Sequence, residues 1–144
     1  MAEGILQDMA GKAGLNWTVA SAGTNGFHTG EQPHALSRKV MLQNGMDISQ
    51  QRSRIFVDTD FDDFDFIYAM ATDVLEEMKH IAGKKFDHKK VGLLLNELYA
   101  GEDRDVPDPW YGPEKGYHDT FAIIQKACNS IVKKYSHQVA KKYA

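Results

Sequence analysis

The sequence predicts an α/β domain with a parallel, twisted sheet flanked by helices, in which the first central strand is absent from the chain as given. Three observations carry this reading. Short β-branched or apolar runs alternate with longer stretches of helical periodicity, the pattern of parallel strands joined by crossover helices. One run, Val91 to Leu95, has no polar side chain, as expected of a strand covered on both faces. The chain also opens in mid-helix, whereas a domain of this kind begins with a strand whose following loop builds the ligand site.

Taken in order, Ile5, Leu6, Met9 and Ala13 share one stripe of an opening helix that Gly14 would end. Met1 already lies inside that pattern, so a truncated or mis-assigned start is expected. Trp17 to Ala22 is partly β-branched and stops before Gly23, which predicts a strand. A polar loop runs to about Pro33, and Ala35, Leu36, Val40, Met41 and Leu42 then repeat at helical spacing up to Gly45. Asp65 to Met70 reads as the next strand, feeding a helix through Leu75, Met78 and Ile81 with Thr72 or Asp73 as its N-cap. After Val91 to Leu95, the tail from His118 puts Phe121, Ile124, Cys128, Ile131, Val132 and Tyr135 on one stripe of an amphipathic helix. The Lys133–Lys134 and Lys141–Lys142 pairs are expected on a solvated face near its end, where cations suit the helix dipole.

Composition narrows the function classes. A length of 144 residues fits one domain, 1–144. Hydrophobic residues make up 42% and charged residues 26%, the balance of a soluble globular chain. No apolar run approaches the ~20 residues needed to cross a bilayer, so no membrane partner and a cytoplasmic setting are expected. Cys128 is the only cysteine, which excludes an internal disulfide and a thiolate-only zinc site. A net charge of −3 with mixed signs argues against nucleic acid. His28 and His34 flank a glycine-containing loop, but no third ligand has the spacing to join them, so neither a metal nor a cofactor is expected. His118 is expected to cap the last helix or meet solvent.

The most specific motif is Val106-Pro107-Asp108-Pro109-Trp110-Tyr111-Gly112. Prolines on both sides stiffen the loop and hold the Asp108 carboxyl at a fixed point, and the two rings would wall a flat apolar substrate. Read on spacing alone, the same residues also suit a surface turn with two packing aromatics.

Asp108-Pro109-Trp110-Tyr111-Gly112 resembles the general-acid loop of low-molecular-weight protein tyrosine phosphatases. Ser21-Ala22-Gly23-Thr24, with Phe27, His28 and Gly30 behind it, is similar to the segment after that family's second strand. Gly45-Met46-Asp47-Ile48-Ser49 with Arg52-Ser53-Arg54, and Phe64 to Met70, resemble the next two segments, and Ala2-Glu3 the start of the helix after the catalytic loop. The resemblance implies the phosphotyrosine phosphatase I-like fold and phosphotyrosine monoester hydrolysis through a phosphocysteine. It implies Asp108 as proton donor, Phe27, Trp110 and Tyr111 as substrate-binding walls, and a phosphotyrosine-containing protein as partner.

The family's nucleophilic cysteine and, after five residues, its phosphate-holding arginine would lie ahead of Met1. The chain as given is therefore expected to be inactive. Cys128 lies on an apolar stripe with Lys134, not arginine, at the matching distance. A lost central strand should leave two inner sheet edges, so the gap is expected to close, to be filled by self-association, or to leave the chain unfolded. Ala71, Val74, His34, Leu36 and Gln51 stand where the family commonly has polar residues that support the loop. They keep open the alternative of a non-catalytic, phosphatase-like binding or regulatory protein. One cysteine excludes a disulfide-relay arsenate reductase, and Ala69-Met70-Ala71 lacks the phosphate-accepting aspartate of a receiver domain.

Overall fold

A computed structural model describes residues 1–24, 29–109 and 112–136, together with the backbone of Lys142 and Tyr143. Helix α1 spans Ala2–Lys12 and leads to strand β1, Thr18–Val19, and then helix α2, Ala35–Gln43. A short helix α3, Asp60–Asp63, precedes strand β2, Ile67–Ala69, and helix α4, Thr72–Ala82. Strand β3, Val91–Leu93, is followed by the long helix α5, Glu114–Tyr135, and strand β4, Lys142–Tyr143.

The α/β architecture with parallel strands is the one the periodicity predicts. Strand β2 pairs in parallel with β3 in the register Ile67–Val91, Tyr68–Gly92 and Ala69–Leu93. Strand β1 pairs in parallel with β4 in the register Thr18–Lys142 and Val19–Tyr143. These are two separate two-stranded sheets, and no pairing joins β1 to β2 among the described residues.

Two cores flank the strands. Alternation along β2 sends Phe66, Tyr68 and Met70 toward the larger core, with Ile5, Leu6, Val40, Met41, Ile124 and Ile131. Ile67 and Ala69 face the other, with Phe56, Phe61, Met78 and Leu93. Gly4 lets α1 approach the larger core, because a Cβ there would stand 2.7 Å from Ile48 Cγ2 and 2.9 Å from Met41 Cε.

Several boundaries depart from the expected ones. The run expected as a strand from Trp17 to Ala22 is paired only at Thr18 and Val19, since no described strand runs beside the residues that follow. Val91 to Leu95 leaves the sheet after Leu93 and tightens into a 3₁₀ turn over Leu94–Glu97 that keeps Leu94 and Leu95 buried. An apolar run does not by itself distinguish these two outcomes. The N-cap of α4 is Ala71 rather than Thr72 or Asp73, and it has no side-chain cap. The free Thr72 amide of that first turn donates instead to Asp105 Oδ1 at 2.8 Å, a carboxylate brought from a distant loop. Helix α5 starts at Glu114, ahead of His118, and ends at Tyr135, so Lys142 lies in β4 rather than on the helix. His118 Nε2 contacts Glu114 Oε2 at 3.3 Å within the first turns.

Candidate active site

The loop carrying Asp108 is held by three separate elements. The Val106 amide donates to the Met70 carbonyl at 2.8 Å, which ties the loop to the end of β2. Asp105 binds the first turn of α4, as described, and Thr120 Oγ1 donates to the Pro107 carbonyl at 3.2 Å from α5. Thr120 is only 5% exposed, so the polar group is buried because it has a partner to satisfy. One turn earlier on α5, Tyr117 is buried and stacks on His34 with ring centroids 5.2 Å apart. Burial first, and then the Asp108 charge, push the Tyr117 hydroxyl above its ordinary pKa. The Asp108 carboxylate therefore lies within electrostatic reach of a buried phenol on α5.

Asp108 opens onto a cleft of about 610 Å³ with Asp73, Asp105, Ser37, Thr120 and Met1 on its walls. A neighbouring cleft of about 300 Å³ also reaches Met1 and is lined by Ser21, Gly23, His34, Gln51, Arg52 and Arg54. The two clefts meet at the N-terminus of α1, where the helix dipole favours negative charge.

The wall of the second cleft is built by backbone pairing. Gly23 donates to the Arg54 carbonyl at 2.9 Å and accepts from the Phe56 amide at 2.8 Å, while Ser53 donates to the Glu31 carbonyl at 2.9 Å. Arg54 Nη1 holds Asp60 at 3.1 and 3.2 Å, and Asp60 also accepts from the Val57 amide at 3.1 Å. Asp60 is 4% exposed, so this pair locks the loop onto the second core. His34 caps α2, its Nδ1 accepting from the Leu36 amide at 3.1 Å.

Of the residues singled out in the sequence, Asp108 lies in the large cleft, while Phe27, Trp110, Tyr111 and His28 fall outside the described residues. Cys128 is elsewhere. It is buried on α5, and burial pushes its thiol up to about 12, so it is neither in the cleft nor ionised at neutral pH. Gln51 lines the second cleft, and Ala71 and Val74 line the first. No group of three or more His, Cys, Asp or Glu side chains could hold a metal among the described residues, and no helix there is long and apolar enough to cross a membrane. Sequence reasoning missed Asp105 and Thr120. The only signal for Thr120 was a polar residue next to Phe121 on the apolar stripe of α5, and Asp105 had none.

Known proteins share this architecture. The sequence matches the family of low molecular weight phosphotyrosine protein phosphatases over residues 1–143. It is 30% identical over 134 residues to the low molecular weight protein-tyrosine-phosphatase YfkJ of Bacillus subtilis, covering 92% of this chain and 84% of that protein. A protein tyrosine phosphatase of Entamoeba histolytica superposes with a TM-score of 0.85 at 30% identity, over 94% of this chain and 86% of that one. A Drosophila arginine phosphatase also superposes with a TM-score of 0.85, at 28% identity and over 95% and 89% of the two chains. With its parallel α/β architecture and a match spanning nearly its whole length, the chain belongs to the low molecular weight phosphotyrosine protein phosphatase family.

Proposed function

We propose that residues 1–144 are one domain of a parent protein whose chemistry is phosphotyrosine monoester hydrolysis in a cytoplasmic setting, with Asp108 as the acid and base. The observation that carries this is the placement of Asp108, held from β2, α4 and α5, in a cleft that it shares with the N-terminus of α1. In the proposed reaction a thiolate attacks phosphorus, the aryl oxygen leaves, and that oxygen takes the Asp108 proton. Water then attacks the phosphocysteine and gives its proton back to Asp108, releasing phosphate and the thiolate. Phe27, Trp110 and Tyr111 would wall the aryl ring of a phosphotyrosine-containing protein. The nucleophile must be a cysteine followed after five residues by arginine, and the 144 residues contain no such pair, so the chain on its own is inactive.

The test is turnover of an aryl phosphate by this chain and by a version carrying a Cys-x₅-Arg strand and loop ahead of Met1. Background turnover by the first and turnover by the second, lost on Asp108→Asn, are expected. Turnover by the chain alone that vanishes in Asp108→Asn would overturn the requirement. A second reading, hydrolysis of phosphoarginine, is favoured by the Asp73, Asp105 and Asp108 carboxylates in one cleft and by the likeness to the Drosophila arginine phosphatase. Comparing the two phosphorylated substrates decides between them. The non-catalytic alternative rests on Gln51, Ala71 and Val74, and it survives if the extended chain binds phosphotyrosine without turnover.

A further inference from the structure

The densest run of positive charge in the sequence covers residues 79–90, and none of them lines either cleft. This segment holds five of the chain's 17 lysines and arginines, two histidines and a single carboxylate, Asp87, in a chain whose net charge is −3. Its backbone is anchored. The 3₁₀ turns Gly83–Lys85 and His88–Lys90 follow the end of α4, and between them Phe86 packs on Phe61 of the second core with ring centroids 5.3 Å apart. His88 meets the same Phe86 ring edge-on, with centroids 4.7 Å apart. The Asp87 carboxylate accepts from the Lys89 amide at 2.9 Å, and Lys90 Nζ donates to the Phe61 carbonyl at 2.8 Å.

We infer that this surface is a docking site for an acidic, unstructured segment of a protein partner, with Lys84, His88 and Lys89 as its contacts. Compensation of the helix dipole does not account for the patch. Lys79 and His80 sit in the last turn of α4, where cations offset the dipole, and Lys79 is also bound to Glu76 at 3.1 Å. That effect fades within one turn, so it does not reach Lys84, Lys85 or Lys89. Lys85 is taken by Asp62 at 2.6 Å, and Lys90 by the Phe61 carbonyl. Lys84 and Lys89 remain, both exposed and neither with an anionic partner among the described residues. Like charges gathered on an anchored surface repel one another, and an anionic ligand relieves that repulsion at little cost in ordering the backbone beneath it.

The neighbouring charges choose among anionic partners. Asp58, Asp62 and Asp63 are exposed and lie within electrostatic reach of the Lys85 ammonium, so carboxylates border the lysines. A bilayer surface or a nucleic-acid duplex laid across the patch would bring its phosphates against these carboxylates as well. A short acidic peptide can meet the lysines alone. Half-buried Phe86 adds apolar contact for a ring or aliphatic side chain within such a segment. The net charge of −3 points the same way, since it gives the chain no general attraction to anionic surfaces. This inference concerns binding alone and does not rest on the phosphatase reading.

The experiment titrates the full chain with a blocked peptide, acetyl-Asp-Glu-Phe-Glu-Asp-Glu-amide, following backbone amide resonances. Expected are saturable shifts concentrated at Lys84, His88 and Lys89, and loss of binding as salt rises from about 20 mM to about 300 mM. Lys84→Glu and Lys89→Glu should each weaken binding by about tenfold or more. Lys133→Glu makes the same change of charge at an exposed position on α5 and should leave binding as it is. The peptide with asparagine and glutamine in place of its acids should not bind to the unaltered chain. Absence of saturable shifts, equal weakening by Lys133→Glu, or equal binding by the uncharged peptide would overturn the inference. So would tighter binding to vesicles containing phosphatidylserine or to a short DNA duplex, since the patch would then serve a bilayer or a nucleic acid.

Discussion

The loop at Val106–Pro109 and the gap between β1 and β2 lie at opposite ends of the scale of completeness in this molecule. The loop has no secondary structure of its own, yet bonds from β2, α4 and α5 hold it in place. The gap is bordered by regular strands and helices, yet it holds two cavities and, among the described residues, no strand pairing across it. Regular structure is thus not what makes a region finished. A loop is rigid when its buried polar groups each meet a partner from a different element, and a sheet is unfinished wherever a neighbouring strand is lacking. The two regions meet at Met70, whose carbonyl holds the loop and whose side chain borders both cavities.

The largest effect that sharpens this contrast is catalytic. In a chain extended with a Cys-x₅-Arg segment, Asp108→Asn should lower kcat by ~10² to 10⁴ with a much smaller change in KM, as measured on an aryl phosphate. Equal rates for the two proteins would mean that the well-held loop holds the wrong acid.

Stability should divide along the same line. Ile5 is fully buried between α1 and the larger core, so Ile5→Ala should cost ~2 to 5 kcal/mol by denaturant unfolding. Val19 borders a cavity already present, so Val19→Ala should cost ~1 kcal/mol or less. Comparable losses at the two positions would show that the gap is as tightly packed as the core.

Thr120→Val keeps the shape of the side chain and removes the bond to the Pro107 carbonyl, which should cost ~1 kcal/mol. In the extended enzyme it should also lower kcat without altering the fold, as read from the far-ultraviolet circular dichroism.

The smallest effect is a pH dependence. Burial raises the Cys128 thiol from 9.0 to about 12, so the unfolded chain loses this proton first. The stability conferred by the neutral thiol is fully present below pH 9 and declines as pH rises toward 12. Unfolding curves between these limits should fall more steeply for the parent than for Cys128→Ala. Parallel curves would place the thiol in contact with solvent through the gap.

Much of this was legible beforehand because it is local. The stripes of α1 and α5, the apolar character of β2 and the proline-fixed Asp108 all depend on residues a few positions apart. The tethers were not legible. Asp105 reaches α4 across 33 positions and Thr120 reaches Pro107 across 13, and neither partner is marked by its neighbours. Helix α3 was passed over although Asp60-Phe61-Asp62-Asp63 carries the acidic first turn of a helix start, because four residues show no period.

By itself, then, the sequence determined the order of three strands and four helices, the parallel α/β class, the family and the one acid worth testing, while α3 and β4 went unread. These follow from periodicity and from motifs whose residues are close along the chain. Only the tertiary structure decided where Val91 to Leu95 leaves the sheet, which groups hold the Asp108 loop, and that the gap between β1 and β2 opens onto cavities on both faces. Those outcomes depend on which surfaces and carbonyls distant segments present to one another, and such pairings follow from packing in three dimensions rather than from any property of a single stretch of chain.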